Sequence, residues 1–314
     1  MRGIDIARAY WEQYGLPMLR EEFPGLLPLA AAGLTGPGSE CFGFDDELSR
    51  DHDFEPGFCL FIPGEDTVDR RTAFLLERAY AKLPKTFMGL QRGLIPPAGG
   101  PRRGVLRTGE YFAEKLGAPD GILTLGQWMS LPEHALAEAV NGALFYDGSG
   151  EVTTIRDRLR RYPLDVRRKK LAGNMMLMAQ SGLYNYARCL GHGEAGAAQL
   201  AVIDFADRAM AAVFLLNETY RPFYKWRFRA MRRLPRLSLL AELLEYLVTT
   251  GNEPDIASEK QRVMEDIARD VIAEAVEQGL SRADSDSLEA HARFINDAIT
   301  DPALRNASIL AGAE

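Results

Sequence analysis

The sequence has few of the residues from which disulfide frameworks, thiolate metal sites and membrane spans are built. Its three cysteines, Cys41, Cys59 and Cys189, are spread over 314 residues. They are too few and too scattered for a disulfide framework or a thiolate zinc site. No apolar run reaches the length of a membrane span, and the amino terminus has no apolar segment typical of a secretion signal. We therefore expect a soluble, cytoplasmic protein with no membrane partner.

Positive charge is also in deficit. The formal net charge is −7 at pH 7, with 46% apolar and 26% charged residues. This is ordinary globular composition. The net acidity argues against a dedicated nucleic-acid binder, although local basic faces remain compatible with it. A chain of 314 residues exceeds one typical domain, so one large or two moderate domains are expected.

The most informative stretch runs from residue 36 to residue 62, GPGSECFGFDDELSRDHDFEPGFCLFI. It contains a glycine-rich turn at Gly38 and Ser39, an acidic loop with Asp51 and Asp53, and then an apolar strand. Residues i and i+2 of an extended chain share a face and lie about 6.6 Å apart. Two carboxylates at about 4 Å repel each other by about 4 kcal/mol at an effective dielectric constant of 20. A pair of divalent metals about 3.5–4 Å apart would remove that repulsion. We therefore predict that Asp51 and Asp53 bind metal, the alternative being a solvated acidic turn.

A glycine-serine turn followed by Asp-x-Asp is similar to the pattern of the polymerase-beta-like nucleotidyltransferases. A closer resemblance is to the bacterial domain-of-unknown-function family DUF4037, which is regarded as nucleotidyltransferase-like. It covers most of the chain, from about Leu29 to about Leu234. The segments that resemble it are GPGSECFGFDDELSRDHDF, NGALFYDGSGEVTTIRDRL, YPLDVRRKKLA, AQSGLYNYAR and FLLNETYRPFYKW.

The resemblance implies an enzyme that moves a nucleoside monophosphate from a nucleoside triphosphate, expected to be ATP, to a hydroxyl acceptor and releases pyrophosphate. Gly38 and Ser39 would hold the triphosphate through peptide groups and the hydroxyl, and Asp51 and Asp53 would hold Mg²⁺ or Mn²⁺. A small-molecule acceptor is favoured over nucleic acid. The oligomeric state is left open. The plainer alternative is that Gly38 relieves backbone strain and Ser39 caps the next turn.

A third carboxylate is less well defined. Such enzymes usually add an acid from a neighbouring strand, but the expected strand over residues 103–107 contains none. Glu110 and Asp147 are the two candidates. Glu110 could equally be a first-turn helix acid, and Asp147 a turn residue. The gap leaves open a catalytically inactive nucleotide-binding or regulatory protein on the same fold. A toxin–antitoxin type of enzyme that modifies RNA or protein is the other alternative.

Two segments rich in arginine and lysine lie in the second half of the chain, over residues 156–170 and 221–236. Such runs are usually solvated helix faces. If the second half helps to neutralise a triphosphate, Lys225 is favoured, because the neighbouring aromatic residues can stack on a base. Lys169 or Lys170 is the second choice. Glu40, Asp45 and Asp46 have no assigned role and could bind a second metal, position Arg50 or face solvent.

Hydrophobic periodicity predicts an α+β fold. Strands are expected at residues 29–34, 58–62, 104–106 and 141–146, and a helix at residues 67–83 with Phe74, Leu75, Ala79 and Leu83 on its inner face. Long helices follow from about residue 164. We therefore predict a nucleotidyltransferase-like mixed sheet with flanking helices over residues 1–150, as the catalytic domain. A helical bundle over residues 151–314 would bind the acceptor.

Overall fold

The structure, a computed structural model, describes residues 1–47, 55–92 and 103–313. Asp51 and Asp53 therefore lie outside the described residues. The chain divides into two compact units. The first comprises Met1–Leu123 and Leu131–Arg160, and the second comprises Thr124–Ser130 and Arg161–Glu314. A short piece of the second unit is thus encoded inside the sequence of the first.

The first unit is built on a four-stranded mixed sheet in the order β5-β2-β1-β6. Strand β1 pairs antiparallel with both β2 and β6, and β2 pairs parallel with β5. A separate two-stranded hairpin joins β3 and β4. The strands are β1 (Ala31–Leu34), β2 (Cys59–Ile62), β3 (Thr86–Phe87), β4 (Leu90–Gln91), β5 (Gly104–Arg107) and β6 (Ala143–Asp147). The four strands predicted from sequence are confirmed.

The two central strands are apolar throughout because both faces of the sheet are covered. Every residue of β1 and β2 is buried, which is why they read as continuous apolar runs rather than alternating ones. Helices on the two faces supply the cover. The helices of the first unit are α1 (Gly3–Tyr10), α2 (Leu16–Glu22), α3 (Ser39–Phe42), α4 (Arg70–Lys82), α5 (Thr108–Leu116), α7 (Glu133–Val140) and α8 (Glu151–Leu159).

A π-helical segment, Trp11–Gly15, joins α1 to α2 and brings the helix close to the sheet. A β-carbon added at Gly15 would lie 2.4 Å from Cζ of Phe58, so only glycine fits there. Trp11 and Tyr10 pack against the same Phe58 ring, at centroid distances of 5.1 and 6.1 Å. The amino-terminal helix thus buries the residue that immediately precedes β2.

The inner face of α4 differs from the predicted one. Phe74 and Leu75 are 57% and 48% exposed, so their prediction as core residues was wrong. The buried residues of the helix are Ala73, Leu76, Ala79 and Tyr80. The helix is rotated so that Tyr80 can reach the backbone of the sheet, and this places the two larger apolar side chains in solvent.

The second unit is helical in its described part. Its helices are α6 (Leu125–Ser130), α9 (Leu164–Met178), α10 (Tyr186–Gly191), α11 (Ala195–Leu216), α12 (Arg227–Met231), α13 (Leu240–Thr249), α14 (Pro254–Glu277), α15 (Leu288–Asp297) and α16 (Pro302–Asn306). A second π-helical segment, Ala179–Asn185, makes α9 and α10 continuous. The mixed sheet and this helical region confirm the α+β fold class.

Two lysines of the second unit are buried and donate hydrogen bonds to neutral oxygens. Nζ of Lys169 donates to Oδ1 of Asn296 (2.9 Å) and to the carbonyl of Ala307 (2.8 Å). Nζ of Lys260 donates to four neutral oxygens, among them the carbonyls of Thr250 and Gly251 just beyond α13. Burial lowers the pKa of both lysines.

No helix within the described residues is both long and apolar enough to cross a membrane.

Candidate functional site

The strand pairing brings four chain segments to one edge of the sheet. In the antiparallel pair, Gly33 of β1 lies opposite Cys59 of β2, so the end of β1 adjoins the start of β2. In the parallel pair, Cys59 lies opposite Gly104, which adds the start of β5 to the same edge. Ala143, near the start of β6, lies opposite Leu34. We call this the turn edge, because the glycine-rich turn after β1 lies on it.

The glycine-rich turn is held by one asparagine side chain. The amide of Gly36 donates to Oδ1 of Asn141 at 3.0 Å, and Nδ2 of Asn141 donates to the carbonyl of Gly36 at 2.7 Å. The Thr35 hydroxyl also donates to Oδ1 of Asn141, at 3.0 Å. Arg156 in turn donates to the backbone carbonyl of Asn141. Gly36 has φ +121°, a conformation that side chains rarely adopt. The turn is therefore fixed by hydrogen bonds between its backbone and the Asn141 side chain.

Gly38 is required for a different reason. Its φ of −67° is available to any residue, but an added β-carbon would lie 2.4 Å from Oε1 of Glu40. The carboxylate of Glu40 therefore folds back against the Gly38 backbone. Gly38 rather than Ser39 occupies the N-cap position of α3, so the capping alternative for Ser39 is not realised. Gly38 is buried and Ser39 is half-buried at the turn edge.

Glu40 is paired with an arginine from the start of β5. Nη2 of Arg103 lies 2.9 Å from Oε1 of Glu40, and the two side chains are only 7% and 10% exposed. The Nη1 atom of Arg103 is buried and has no hydrogen-bond partner among the residues that the structure describes. Such a group is costly to bury, and orphaned donors are rare in native structures. Glu40, for which the sequence left the role open, thus forms an ion pair with Arg103 at the turn edge. Asp45 accepts from the amide of Gly3 at 2.8 Å, and Asp46 is exposed.

Tyr80 fixes the residue before β2. Its hydroxyl donates to the carbonyl of Phe58 at 2.7 Å and accepts from the amide of Phe58 at 3.0 Å. Burial raises the pKa of Tyr80, so the phenol stays protonated. Burial likewise raises the pKa of Tyr111, whose hydroxyl lies 3.5 Å from that of Thr35. The start of β2 and the end of β1 are therefore both tied to buried, neutral side chains.

The predicted metal ligands cannot be placed, because Asp51 and Asp53 lie outside the described residues. The described chain resumes at Glu55, and β2 begins four residues later. Within residues 1–47, 55–92 and 103–313, no group of three or more histidine, cysteine, aspartate or glutamate side chains could hold a metal ion. Binding of magnesium by Asp51 and Asp53 stays a prediction.

Glu110 and Asp147, the two candidates for the third carboxylate, lie at the opposite edge of the sheet from the glycine-rich turn. A catalytic role for either stays a prediction. Asp147 pairs with Ala31 at the start of β1, three residues or about 10 Å of strand from Leu34. Both its oxygens are engaged by the start of α8, accepting from Gly150 and Thr153. Glu110 follows the far end of β5 and its side chain is 80% exposed. Asp147 is thus placed as a turn residue would be, and Glu110 lies in the first turn of α5.

A cavity of about 540 Å³ lies at this opposite edge. Its walls mix both signs of charge, and its arginines already donate to carbonyls: Arg107 to Pro63 and Val68, and Arg158 to Asp120. The charged lining residues are Glu65, Arg107, Glu110, Asp120, Glu151 and Arg158. The cavity has no converging charge of one sign, so the turn edge is the better candidate for an anionic ligand.

The two predicted phosphate-binding lysines belong to the second unit. Lys170 is 5% exposed, and its Nζ donates to the carbonyl of Met129 at 3.0 Å and lies 5.7 Å from the Tyr162 ring centroid. Lys225 is exposed, with Nζ 5.1 Å from the Trp226 ring centroid. Contact of either lysine with a triphosphate stays a prediction. The expectation that these basic segments are solvated faces was wrong for four side chains, which are buried: Arg156, Arg167, Lys169 and Lys170.

The sequence-based site lacks two side chains that the structure places at the turn edge. Asn141 was part of a predicted strand, and Arg103 part of an acid-free one. The signal at Asn141 is the following Gly142, whose φ is +66° and whose added β-carbon would meet the carbonyl oxygen of Leu34 at 1.9 Å. A polar residue followed by a glycine, just before an apolar strand, indicates that the chain turns tightly into that strand. Nothing in the sequence pairs Glu40 with a residue 63 positions away.

The comparisons with known proteins give one finding. No curated protein and no solved structure matches the chain. A family model does match residues 128–227, and its description is a domain of unknown function. The matched stretch contains Asn141, all of β6 and the two lysines discussed above, and it extends from the first unit into the second. Residues 128–227 of this chain are therefore similar to the family DUF4037.

Proposed function

We propose that this protein is a magnesium-dependent nucleotidyltransferase. It would transfer a nucleoside monophosphate from a nucleoside triphosphate, with ATP expected, to a hydroxyl acceptor, and release pyrophosphate. A small-molecule acceptor is favoured over nucleic acid. The observation that supports the proposal is the antiparallel pairing of β1 and β2, because it brings the end of the strand before Gly38 and Ser39 next to the start of the strand that follows Asp51 and Asp53.

The turn edge suits a polyanion in two further respects. The turn after β1 is held rigidly by Asn141, so peptide groups at Gly38 and Ser39 need no reordering on binding. A buried guanidinium, that of Arg103, stands at the same edge. At the opposite edge, by contrast, Arg107 and Arg158 are engaged by backbone carbonyls.

The proposed reaction is a displacement at the α-phosphorus. The acceptor oxygen would form a bond to the α-phosphorus while the bond from that phosphorus to the bridging oxygen of the β-phosphate breaks, and pyrophosphate would leave with the bonding electron pair. The acceptor proton would pass to solvent. Magnesium bound by Asp51 and Asp53 would offset phosphate charge and lower the pKa of the acceptor hydroxyl.

The proposal is tested by replacing the predicted ligands. Asp51→Asn and Asp53→Asn should each reduce magnesium-dependent pyrophosphate release from ATP by at least about a hundredfold, because each removes a carboxylate that screens transition-state charge. The melting temperature should stay unchanged or rise, since like-charge repulsion is relieved. Pyrophosphate is measured over a panel of hydroxyl-bearing acceptors, with calorimetry of ATP and magnesium alongside.

Asp66→Asn is the matched control, because Asp66 is an exposed acid beyond the far end of β2. It should leave pyrophosphate release unchanged. Equal activity in the wild type and in both Asp51 and Asp53 variants would refute the proposed metal site. Loss of folding in those two variants would instead assign the acids a structural role.

A second candidate is a nucleotide-binding protein without catalysis. The observation that favours it is the start of β5, where Arg103 occupies the turn edge and no acid is present over Gly104–Arg107. Calorimetry that detects ATP and magnesium, together with no pyrophosphate release from any acceptor tested, would favour this candidate over the transferase.

A further inference from the structure

The Glu40–Arg103 pair is the most deeply buried ion pair at the turn edge. Arg103 is 7% and Glu40 is 10% exposed, with 2.9 Å between Nη2 and Oε1. The arginine stem lies against the chain just before β2, since an added β-carbon at Gly57 would be 3.1 Å from Cδ of Arg103. Both partners are therefore held in place by backbone that belongs to the turn edge.

Only part of the guanidinium is satisfied. Nη2 donates to Glu40, whereas Nη1 is buried and has no hydrogen-bond partner within the described parts of the chain. A guanidinium offers its donors as a rigid planar fork, so fixing Nη2 on Glu40 also fixes the direction of Nη1. An oriented, unused donor of a charged group is a strong acceptor-binding element once an anion arrives.

The location of this donor matches that of the proposed phosphate site. Arg103 immediately precedes Gly104, which lies opposite Cys59, and Cys59 lies opposite Gly33 in the strand that leads to the glycine-rich turn. The Glu40 carboxylate touches both Arg103 and the space beside Gly38. One carboxylate thus links the arginine to the turn.

We infer that Arg103 is an anion-binding residue of the turn edge, which donates from Nη1 to a phosphate oxygen while Glu40 holds its other nitrogen in position. The ligand chemistry is a polyphosphate, either the triphosphate of a nucleotide or a free inorganic polyphosphate. Glu40 is a positioning residue in this arrangement. The inference rests on the proposed function for the identity of the site, but not on transfer itself.

The charge of Glu40 distinguishes an anion-binding role of the pair from a purely structural one. With Glu40 ionised, the pair has no net charge. An incoming phosphate is therefore attracted by the Nη1 donor of Arg103 and repelled by the negative charge of Glu40. Glu40→Gln keeps an oxygen that accepts from Nη2 and removes that like charge. Removing the repulsion between one negative charge and the phosphate at several ångströms, at an effective dielectric constant of about 20, should tighten polyphosphate binding about tenfold. A purely structural ion pair would give no such gain.

The experiment measures binding of inorganic triphosphate with magnesium, and of ATP with magnesium, to the full chain by calorimetry and by ligand-induced shift of the melting temperature. Arg103→Met should weaken both affinities by about tenfold to a hundredfold, the loss expected for one charged hydrogen bond. Arg103→Lys keeps the charge and the Glu40 partner but lacks the fork, so it should fold and still bind more weakly. Glu40→Gln should bind more tightly and show the larger melting shift.

Arg107→Met is the matched control, because Arg107 is at the other end of the same strand and donates to the carbonyls of Pro63 and Val68. It should leave triphosphate affinity unchanged. Wild-type affinity in Arg103→Lys, or weaker binding in Glu40→Gln, would overturn the inference, as would no binding of triphosphate by the wild type.

The same data separate this inference from the transferase proposal. Binding of ATP that is lost in the Asp51 variant but unchanged in the Arg103 variants would overturn the inference and leave the transferase standing. Triphosphate binding that depends on Arg103 without any pyrophosphate release would support the inference, and would favour the non-catalytic candidate. Adenosine alone, which lacks phosphates, should bind the wild type and Arg103→Lys equally.

Discussion

Both oxygens of the Asp147 carboxylate accept hydrogen bonds from the start of α8. Oδ1 accepts from the amide of Gly150 at 3.0 Å, and Oδ2 accepts from the amide and hydroxyl of Thr153 at 2.8 and 2.7 Å. A carboxylate placed there satisfies helix amides that have no partner within the helix and interacts favourably with the helix dipole. At the scale of the single residue, Asp147 ends β6 and starts α8.

We predict that Asp147→Ala lowers the free energy of unfolding by about 1–2 kcal/mol, the range measured for loss of a helix cap. The measurement is urea unfolding followed by circular dichroism. Asp157→Ala is the control on the same helix, because Asp157 forms an exposed pair with Arg160 and should cost less than about 0.5 kcal/mol. Equal losses in the two variants would contradict the capping role.

Cys59 gives a prediction about pH. Burial raises the pKa of this thiol from about 9 to about 11. Since the folded-state pKa is above the unfolded one, the thiol's contribution to stability is fully present below about pH 9 and is lost as the pH rises through about 11. Unfolding free energies of the wild type should therefore fall more steeply between pH 9 and 11 than those of Cys59→Ala. Parallel pH profiles would show that the thiol is not buried as described.

The side chains at the turn edge show what the sequence could and could not predict. Gly38 was predicted at a turn because glycine followed by serine after an apolar run is a local pattern. Its physical reason, the Glu40 carboxylate folded against it, depends on Arg103, and that contact requires the parallel pairing of β2 and β5. Local patterns contain no information about which charged side chains meet across paired strands.

At the scale of elements, the two π-helical segments place glycines where helices approach aromatic rings. In the second unit, a β-carbon added at Gly182 would lie 2.3 Å from Cδ2 of Phe205 and 3.0 Å from Sδ of Met264. Phe205 is fully buried in α11. The segment Ala179–Asn185 thus lets α11 and α14 pack closely on one continuous helix.

We predict that Gly182→Ala lowers the free energy of unfolding by about 1–3 kcal/mol, because the added methyl overpacks the contact with Phe205. Gly196→Ala is the control, since Gly196 is also helical and has open space where the methyl would be. Higher helix propensity should make it neutral or more stable by up to about 1 kcal/mol. Thermal and urea unfolding report both values, and a stabilised Gly182 variant would contradict the packing.

Helix α4 shows where pattern and packing differ at this scale. The sequence predicted its existence and its extent to within a few residues, because apolar residues recur at helical spacing. The predicted face was right for Ala79 and Leu83, which are buried, and wrong for Phe74 and Leu75, which are exposed. Tyr80 lies on the buried face, and its hydroxyl bonds both backbone groups of Phe58.

At the scale of the whole molecule, α6 is the element that does not follow sequence order. Residues 124–130 belong to the second unit, although residues on both sides of them belong to the first. Trp128 of α6 is 5% exposed and packs edge-on against Tyr162, with 5.7 Å between ring centroids. The carbonyl of Met129 accepts from Lys170 at 3.0 Å.

We predict that Trp128→Ala lowers the stability of the second unit by about 3–5 kcal/mol, the cost of removing a buried aromatic side chain. Hydrogen exchange followed by mass spectrometry should show faster exchange over residues 161–178, with β1 and β2 still protected. Phe74→Ala, which removes an exposed aromatic ring of the first unit, is the control and should change neither region. Faster exchange confined to the sheet would contradict the assignment of α6.

The position of α6 also constrains how the chain can assemble during synthesis. Trp128 emerges from the ribosome before Tyr162 and Lys170, the residues that α6 contacts. Strand β6, the last strand of the four-stranded sheet, emerges between them. The sheet can therefore be completed before the partners of α6 have emerged, and until then the indole of Trp128 is exposed to water and to chaperones.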